Sequence, residues 1–252
     1  MGKMMTNCSL LALDYSQIEL RVAAHESQDP TMLDIFRNGG DMHMTTACRM
    51  FGLPPDKIDD KKHRRPAKTT NFGTIYLISA KGLWTQFQHE GLTEFTEADC
   101  QGFLDSWRQT YPGFFDWVEE VSAEARRTGM VRDMFGRIRW IPELQSSLKW
   151  IREAGIRQAV NAPIQSGAGG ILKEAMGRLH PIVQQWQSVY GVVCRPLLQV
   201  HDELIFEVED EWLPTIAAQF HDVMVNAMKL SVPIKLDVET GRNWKELEAY
   251  EL

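Results

Sequence analysis

Strand-like segments stand at both ends of this 252-residue chain, and helix-like segments fill the middle. Near the start, CSLLAL (8–13) is an apolar run that stops at Asp14, the pattern of a buried strand. Near the end, RPLLQV and LIFEVE flank the tight turn HDE, and PIKLDVE supplies a last strand. Between them, QIELRVAAHES predicts a helix. MHMTTACRMF predicts a short one between the turn-rich breaks NGGD and GLPPD. Residues 62–128 read as mostly helical, with breaks at Gly91 and near Pro112. GMVRDMFGRIRWIP predicts a hairpin turning near Phe135-Gly136. IREAGIRQAVNAPIQSGAGGILKEAMGRLHPIVQQW predicts helix interrupted around Pro163 and the glycines, and 211–229 predicts another. The sheet must be assembled from both ends of the chain around a helical insertion, which is an α+β fold.

The length suits one large domain or two smaller ones, and there is no internal repeat or low-complexity linker. No apolar run approaches the roughly 20 residues that span a bilayer. The short apolar run before Asp14 argues against a signal peptide. Cys8, Cys48, Cys100 and Cys194 are dispersed and form no CxxC pair. That pattern fits a reducing, intracellular setting better than disulfides or zinc. The net charge of -7 argues against binding a polyanion over the whole surface. A local positive groove is still allowed, because the field depends on where charges sit. One cationic concentration is Lys57, Lys61, Lys62, Arg64, Arg65 and Lys68; a more diluted one runs from Arg126 to Arg157.

Arg64, Lys68, Phe72 and Tyr76 recur every four residues, so on a helix they form one slowly drifting stripe. Pro66 is tolerated only in a first turn, which places the helix start near Arg64. Cations there oppose the helix dipole unless an anion docks on the free N–H groups. Two phosphate binders followed by a ring-stacker match the layout of a nucleoside triphosphate. The alternative is an amphipathic helix with Phe72 and Tyr76 in the core and its cations in water; the stripe alone favours that plainer account.

Asp14 ends an apolar strand and Asp202 sits in a hairpin turn. Two-metal phosphoryl transfer needs acidic ligands fixed in this way, bridging ions roughly 3.5–4 Å apart. Magnesium accepts hard oxygen ligands and keeps waters, so two aspartates and substrate phosphates suffice, with Glu203 as an outer ligand. Taken singly, helix capping accounts for Asp14 and turn formation for Asp202.

Together these segments resemble one family. DYSQIELRVAAHES is similar to motif A of family A DNA polymerases, RRPAKTTNFGTIYL to motif B, and LQVHDELIFEV to motif C. GDMHMTTA, YPGFFDWVE, FGRIRWIPEL, RQAVNAPIQSGAGGILKEAM and LDVETGRNWKEL match as well, in the family's order and over nearly the whole chain. The resemblance implies a right-hand polymerase: a palm with an antiparallel sheet (1–29 and 131–252) and helical fingers (30–130). It implies template-directed addition of deoxynucleotides to a primer 3′ end, with primer-template DNA and deoxynucleoside triphosphates as partners. Asp14 and Asp202 would hold two Mg2+ ions, helped by the Tyr15 backbone carbonyl, with Glu203 as auxiliary acid. Arg64 and Lys68 would grip the triphosphate near His43, and Lys68 would protonate the departing pyrophosphate. Phe72 would pack on the incoming sugar and base, and Tyr76 would shape the nascent-pair pocket. Glu19, with Gln17 nearby, would crowd the sugar 2′ position, a buried acid paired to Tyr76 being costly to disturb. Arg157, Asn161 and Gln165 would lie along template and primer, Gln165 with His201 as minor-groove readers of acceptors that every correct pair presents.

Leu77 stands where the family usually has glycine after the motif B tyrosine, and Pro66 is unusual in that helix. Neither a thumb nor a proofreading exonuclease accompanies the matched motifs, so the expectation is a split or truncated polymerase in which a second chain supplies the thumb or exonuclease. A nucleotide- and DNA-binding part that is inactive without that partner is the alternative. A related single-subunit RNA polymerase is a third reading, against which Glu19 and Phe72 argue. The expected setting is intracellular, the cytoplasm of a bacterial or phage-infected cell or an organelle, with no membrane partner.

Overall fold

The computed structural model describes residues 7–252, so the first six residues of the expected palm lie outside it. In chain order the elements are β1 (Cys8–Tyr15), α1 (Ile18–Ser27), α2 (Pro30–Arg37), α3 (Met42–Phe51), α4 (Arg65–Ile75), α5 (Ala80–His89), α6 (Glu97–Thr110) and α7 (Pro112–Thr128). Then come β2 (Met130–Arg132), β3 (Ile138–Trp140), α8 (Lys149–Ser188), β4 (Cys194–Val200), β5 (Glu203–Glu209), α9 (Leu213–Val225), β6 (Leu236–Gly241) and β7 (Glu248–Ala249). The fold is α+β, as expected. The chain divides into two compact units: residues up to Ile18 with Ala168–Leu252, and Glu19–Gly167.

The first unit holds a five-stranded antiparallel sheet in the order β4-β5-β1-β6-β7. Strand β1, from the start of the chain, is central because its residues are apolar on both faces: Leu10 and Ala12 alternate with Leu11, Leu13 and Tyr15. The odd-numbered set faces α9. The Tyr15 hydroxyl donates to the Met224 carbonyl at 2.9 Å, and Phe206, the cross-strand partner of Leu11, packs its ring 4.7 Å from Phe220. Strand alternation therefore sends Asp14 to the opposite face, the one shared by Leu10 and Ala12. Strand β1 runs two residues further than expected, so Asp14 is a paired strand residue and not a helix cap.

In the second unit, helix boundaries follow local chemistry. Asp29 caps α2 by accepting from Met32 N–H, and its other carboxylate oxygen accepts from Gly113 N–H at 2.8 Å. Thr96 and Asp99 form a capping box at α6. Leu83, Phe87, Leu92, Cys100 and Phe103 make one apolar cluster, with Phe51 and Phe95 packed against it.

Two expectations need correction. Helix α8 runs unbroken through Pro163. Pro163, Ile164, Gly167 and Ala168 are buried there. A Cβ on Gly167 would meet Val22 at 3.0 Å, so that glycine permits close packing and does not end a helix. Helix α4 does not start with a free end near Arg64. A π-helical turn over Asp60–Arg64 runs straight into it, and the Asp59 carboxylate accepts from Lys61 and Lys62 N–H. Arg64 is paired with Asp41 at 2.8 Å and with Asp60 at 3.3 Å. The cationic start is thus compensated within the chain, because acids from the preceding turn and from Asp41, the cap of α3, reach it.

Candidate active site

In the sheet unit, antiparallel register sets three carboxylates abreast. Glu203 on β5, Asp14 on β1 and Asp237 on β6 are direct cross-strand partners. Asp202 joins them at the hairpin turn, where its carbonyl accepts from Tyr15 N–H at 3.3 Å. The expected pair Asp14 and Asp202 is therefore brought together although 188 positions separate them in the sequence. The hairpin loop has two residues, and His201 takes the left-handed conformation with φ 53, a place where glycine is usual. Like charges directly opposite on a sheet repel. Burial, and then the charges of Asp202, Glu203, Asp237 and Glu239, push the Asp14 carboxyl up to about 6. Glu203 is also raised, by burial first and then by Glu239 and Asp202, against a hydrogen bond involving Trp244.

The donors in this row are hard carboxylate oxygens that repel one another, and a divalent cation would relieve that repulsion. Among the described residues, no group of three or more His, Cys, Asp or Glu side chains is arranged as a metal-binding cluster. The fit therefore rests on two aspartates and the Tyr15 carbonyl, a set small enough to leave positions for substrate oxygens. Asp237 and Glu239 escaped the sequence reading. Their spacing of two in LDVE puts them on one strand face, but only the pairing of β6 with β1 brings that face to Asp14.

In the helical unit, α4 is buried on almost every side. Pro66, Ala67, Thr69, Thr70, Asn71, Gly73, Thr74 and Ile75 are all covered. The open stripe consists of half-buried Arg64, exposed Lys68, and half-buried Phe72 and Tyr76. This decides against the plainer account of the stripe, since the two rings share the open face with the cations and do not enter the core. The Tyr76 hydroxyl donates to the Glu19 carboxylate, the contact expected of that pair.

Behind the stripe lies a buried polar network. The Asn71 carbonyl oxygen accepts from Thr46 at 2.9 Å and from the Trp107 indole at 2.7 Å, while its amide nitrogen meets His43 Nδ1 at 2.8 Å. Thr46 also shares a 2.9 Å hydrogen bond with Tyr111. His43 is only 2% exposed, with its ring 5.6 Å from that of Phe72. Burial lowers its pKa to about 4, with Arg64 and Lys68 acting the same way and Asp41 opposing. A neutral, covered imidazole supports Phe72 from inside and brings no positive charge to a phosphate. Asn71, which meets His43, and Asp41, which pairs with Arg64, escaped the sequence reading. Asn71 falls between stripe positions, and only its burial distinguishes it from any helical asparagine.

Arg157, Asn161 and Gln165 lie on the uncovered side of α8, between buried Ala159, Val160, Pro163 and Ile164. The structure distributes them over two cavities. Arg157 lines one of about 500 Å³ with Phe72 and Tyr76. Asn161 and Gln165 line one of about 380 Å³ with Asp133, Arg137 and Arg139. In the amide orientation that satisfies its neighbours, Asn161 donates to the Ile75 carbonyl at 3.3 Å, tying α8 to the end of α4. Gln17 is half-buried just beyond β1, with a left-handed backbone of φ 55.

A row of carboxylate oxygens suits divalent cations, and a cation–ring stripe suits a phosphate-bearing ring compound; these are the needs of a nucleotide-handling protein. Residues 3–246 match the model of DNA polymerase family A, and the chain belongs to that family. It is 42% identical to the thermostable DNA polymerase I of Thermus filiformis, an alignment covering 94% of this chain and 27% of that protein. It is 38% identical to DNA polymerase I of Pseudomonas aeruginosa, over 94% of this chain and 25% of the relative. Among solved structures it resembles the POL domain of Pol1 from M. smegmatis in complex with DNA primer-template and dNTP. That match has a TM-score of 0.84 and 35% identity, and covers 96% of this chain and 41% of that one. The chain thus spans about a quarter of the length of these curated relatives. Polymerases of this family use divalent metal. No helix among the described residues is long and apolar enough to cross a membrane.

Proposed function

We propose that this chain is the palm-and-fingers part of an intracellular DNA-directed DNA polymerase, with 1–29 and 131–252 as palm and 30–130 as fingers. The observation that carries the proposal is the row Glu203–Asp14–Asp237 beside Asp202, a concentration of negative charge on one sheet face. Asp14, Asp202 and the Tyr15 carbonyl would hold two Mg2+ ions. When bound, these ions lower the pKa of the attacking 3′ hydroxyl and neutralise the leaving pyrophosphate. Glu203 adds an outer acceptor. The primer 3′ oxygen forms the new bond to the α-phosphorus as the bond to pyrophosphate breaks.

The remaining residues orient and exclude. Lys68, exposed on the open stripe, binds the triphosphate and gives a proton to the departing pyrophosphate. Arg64 assists from its pair with Asp41, which aligns the guanidinium but also shares its charge. Phe72, backed by His43, offers its ring to sugar and base. Glu19, holding the Tyr76 hydroxyl, leaves no partner for a sugar 2′ hydroxyl. Arg157, Asn161, Gln165 and His201 contact template and primer. The test is primer extension by the purified chain with magnesium and deoxynucleotides. Asp14→Ala and Asp202→Ala should each lower the rate by at least a thousandfold, and unchanged extension by both would refute the assigned chemistry.

A second reading rests on the net charge of -7, which weakens the hold on a polyanion: this chain extends primers only in the presence of a partner chain that binds the duplex. Absence of extension by the chain alone, restored by adding the partner, distinguishes the two.

A further inference from the structure

Helix α4 ends in a hydrogen-bonded closure whose key position holds the wrong kind of residue for comfort. Leu77 N–H donates to the Thr74 carbonyl at 2.9 Å and Ile78 N–H to the Gly73 carbonyl at 3.0 Å, the two crossed bonds of a Schellman motif. The residue just past the cap must then be left-handed, and glycine is usual there because a Cβ clashes. Here it is Leu77, at φ 56. The apolar half of the motif is also complete: a Cβ on Gly73 would lie 2.8 Å from Ile78 Cγ2, so Ile78 is seated directly on the backbone of Gly73. A strained residue held this firmly is a candidate for a role that its side chain, not its backbone, performs.

That side chain has a distinctive place. Leu77, Ile78 and Ser79 line the cavity of about 500 Å³ that holds Phe72, Tyr76 and Arg157. The same three residues line another cavity, of about 550 Å³, that holds Leu104, Arg108 and Phe115. The segment is therefore the partition between them, and Leu77 is its apolar member directly after Tyr76. We propose that Leu77 is a specificity-determining residue: its side chain limits the Phe72–Tyr76 cavity to a base of normal size. A glycine would satisfy the helix closure better but would open the partition. The inference rests on the proposed polymerase reading, since the occupant is taken to be a purine or pyrimidine base.

Two variants separate bulk from strain. Leu77→Ala keeps a Cβ in the left-handed region and removes the bulk; Leu77→Gly removes both. The first readout is the ratio of kcat/KM for insertion of a correct nucleotide to that for a purine opposite a purine. The second is formation of a ternary complex by a dideoxy-terminated primer–template with the same nucleotides, followed by 2-aminopurine fluorescence, which needs no turnover. Both variants should lose about tenfold in discrimination in each readout, the scale of a few methylenes in a fitted pocket. Only Leu77→Gly should raise Tm. Wild-type discrimination in Leu77→Ala would overturn the proposal. If the wild type forms a matched ternary complex yet does not extend primers, solo catalysis fails while the binding ratio still judges Leu77. If no nucleotide-dependent complex forms at all, both readings fall.

Discussion

At the scale of single residues, the site is built from side chains whose neighbours define what they can do. Glu19 is the clearest case, because its carboxylate is engaged by the Tyr76 hydroxyl. On the proposed polymerase reading, Glu19→Ala removes the group that would crowd the sugar 2′ position. Ribonucleotide use relative to deoxynucleotide use should rise by about 10- to 100-fold, read as the ratio of kcat/KM values. His43 carries a pH signature. Its folded pKa, near 4, lies below the ordinary histidine value of 6.5, so the unfolded chain binds the proton more readily. Its contribution is fully present above pH 6.5 and is lost as pH falls from there towards 4. His43→Gln should flatten the fall in stability over that window by on the order of 2 kcal/mol, measured by denaturant titration at several pH values. The stripe Arg64–Lys68–Phe72–Tyr76 was legible from spacing alone, because a helix repeats its faces every three to four residues. The pairing of Arg64 with Asp41 was not, since 23 positions separate them and only packing of α3 beside α4 unites them.

At the scale of elements, α4 is the part whose sequence is most fully used. One side carries the proposed nucleotide contacts, and the rest is buried. Asn71 joins three elements through Thr46, His43 and Trp107. Asn71→Ala would leave the buried Trp107 indole N–H without its acceptor, while Thr46 would keep Tyr111 as a partner, so the cost is about 1–3 kcal/mol. Chemical denaturation should show this, with the loss of extension following the loss of fold. Gly73→Ala is expected to cost about 1–3 kcal/mol, because the new methyl would lie inside the Ile78 side chain. An unchanged Tm for Gly73→Ala would mean that the helix closure is looser than described. Helix α8 gives the complementary lesson. Its proline and glycines read as breaks, yet buried packing against α1 carries the helix through, so tertiary burial outweighed local propensity.

At the scale of the whole molecule, a net charge of -7 sets limits on binding. On the proposed reading, affinity for primer–template would rest on local cations such as Arg157, Arg137 and Arg139, working against an acidic background. It should fall at least tenfold between 50 and 200 mM salt, as expected for several phosphate contacts, and fluorescence anisotropy would read it. A weak salt dependence would argue that charge neutralisation contributes little. On the second reading, addition of a partner chain that binds the duplex should tighten binding without restoring extension to Asp14→Ala.

Period-two and period-four patterns, turn residues and the order of the motifs were enough to determine most of the elements, the α+β class and the family. These are local signals, set by backbone geometry within a few residues. Register between distant strands, the acids that already claim Arg64, the left-handed Leu77 and the unbroken α8 were decided only by tertiary structure. Each depends on which surfaces are buried together, and burial is a property of the folded chain as a whole.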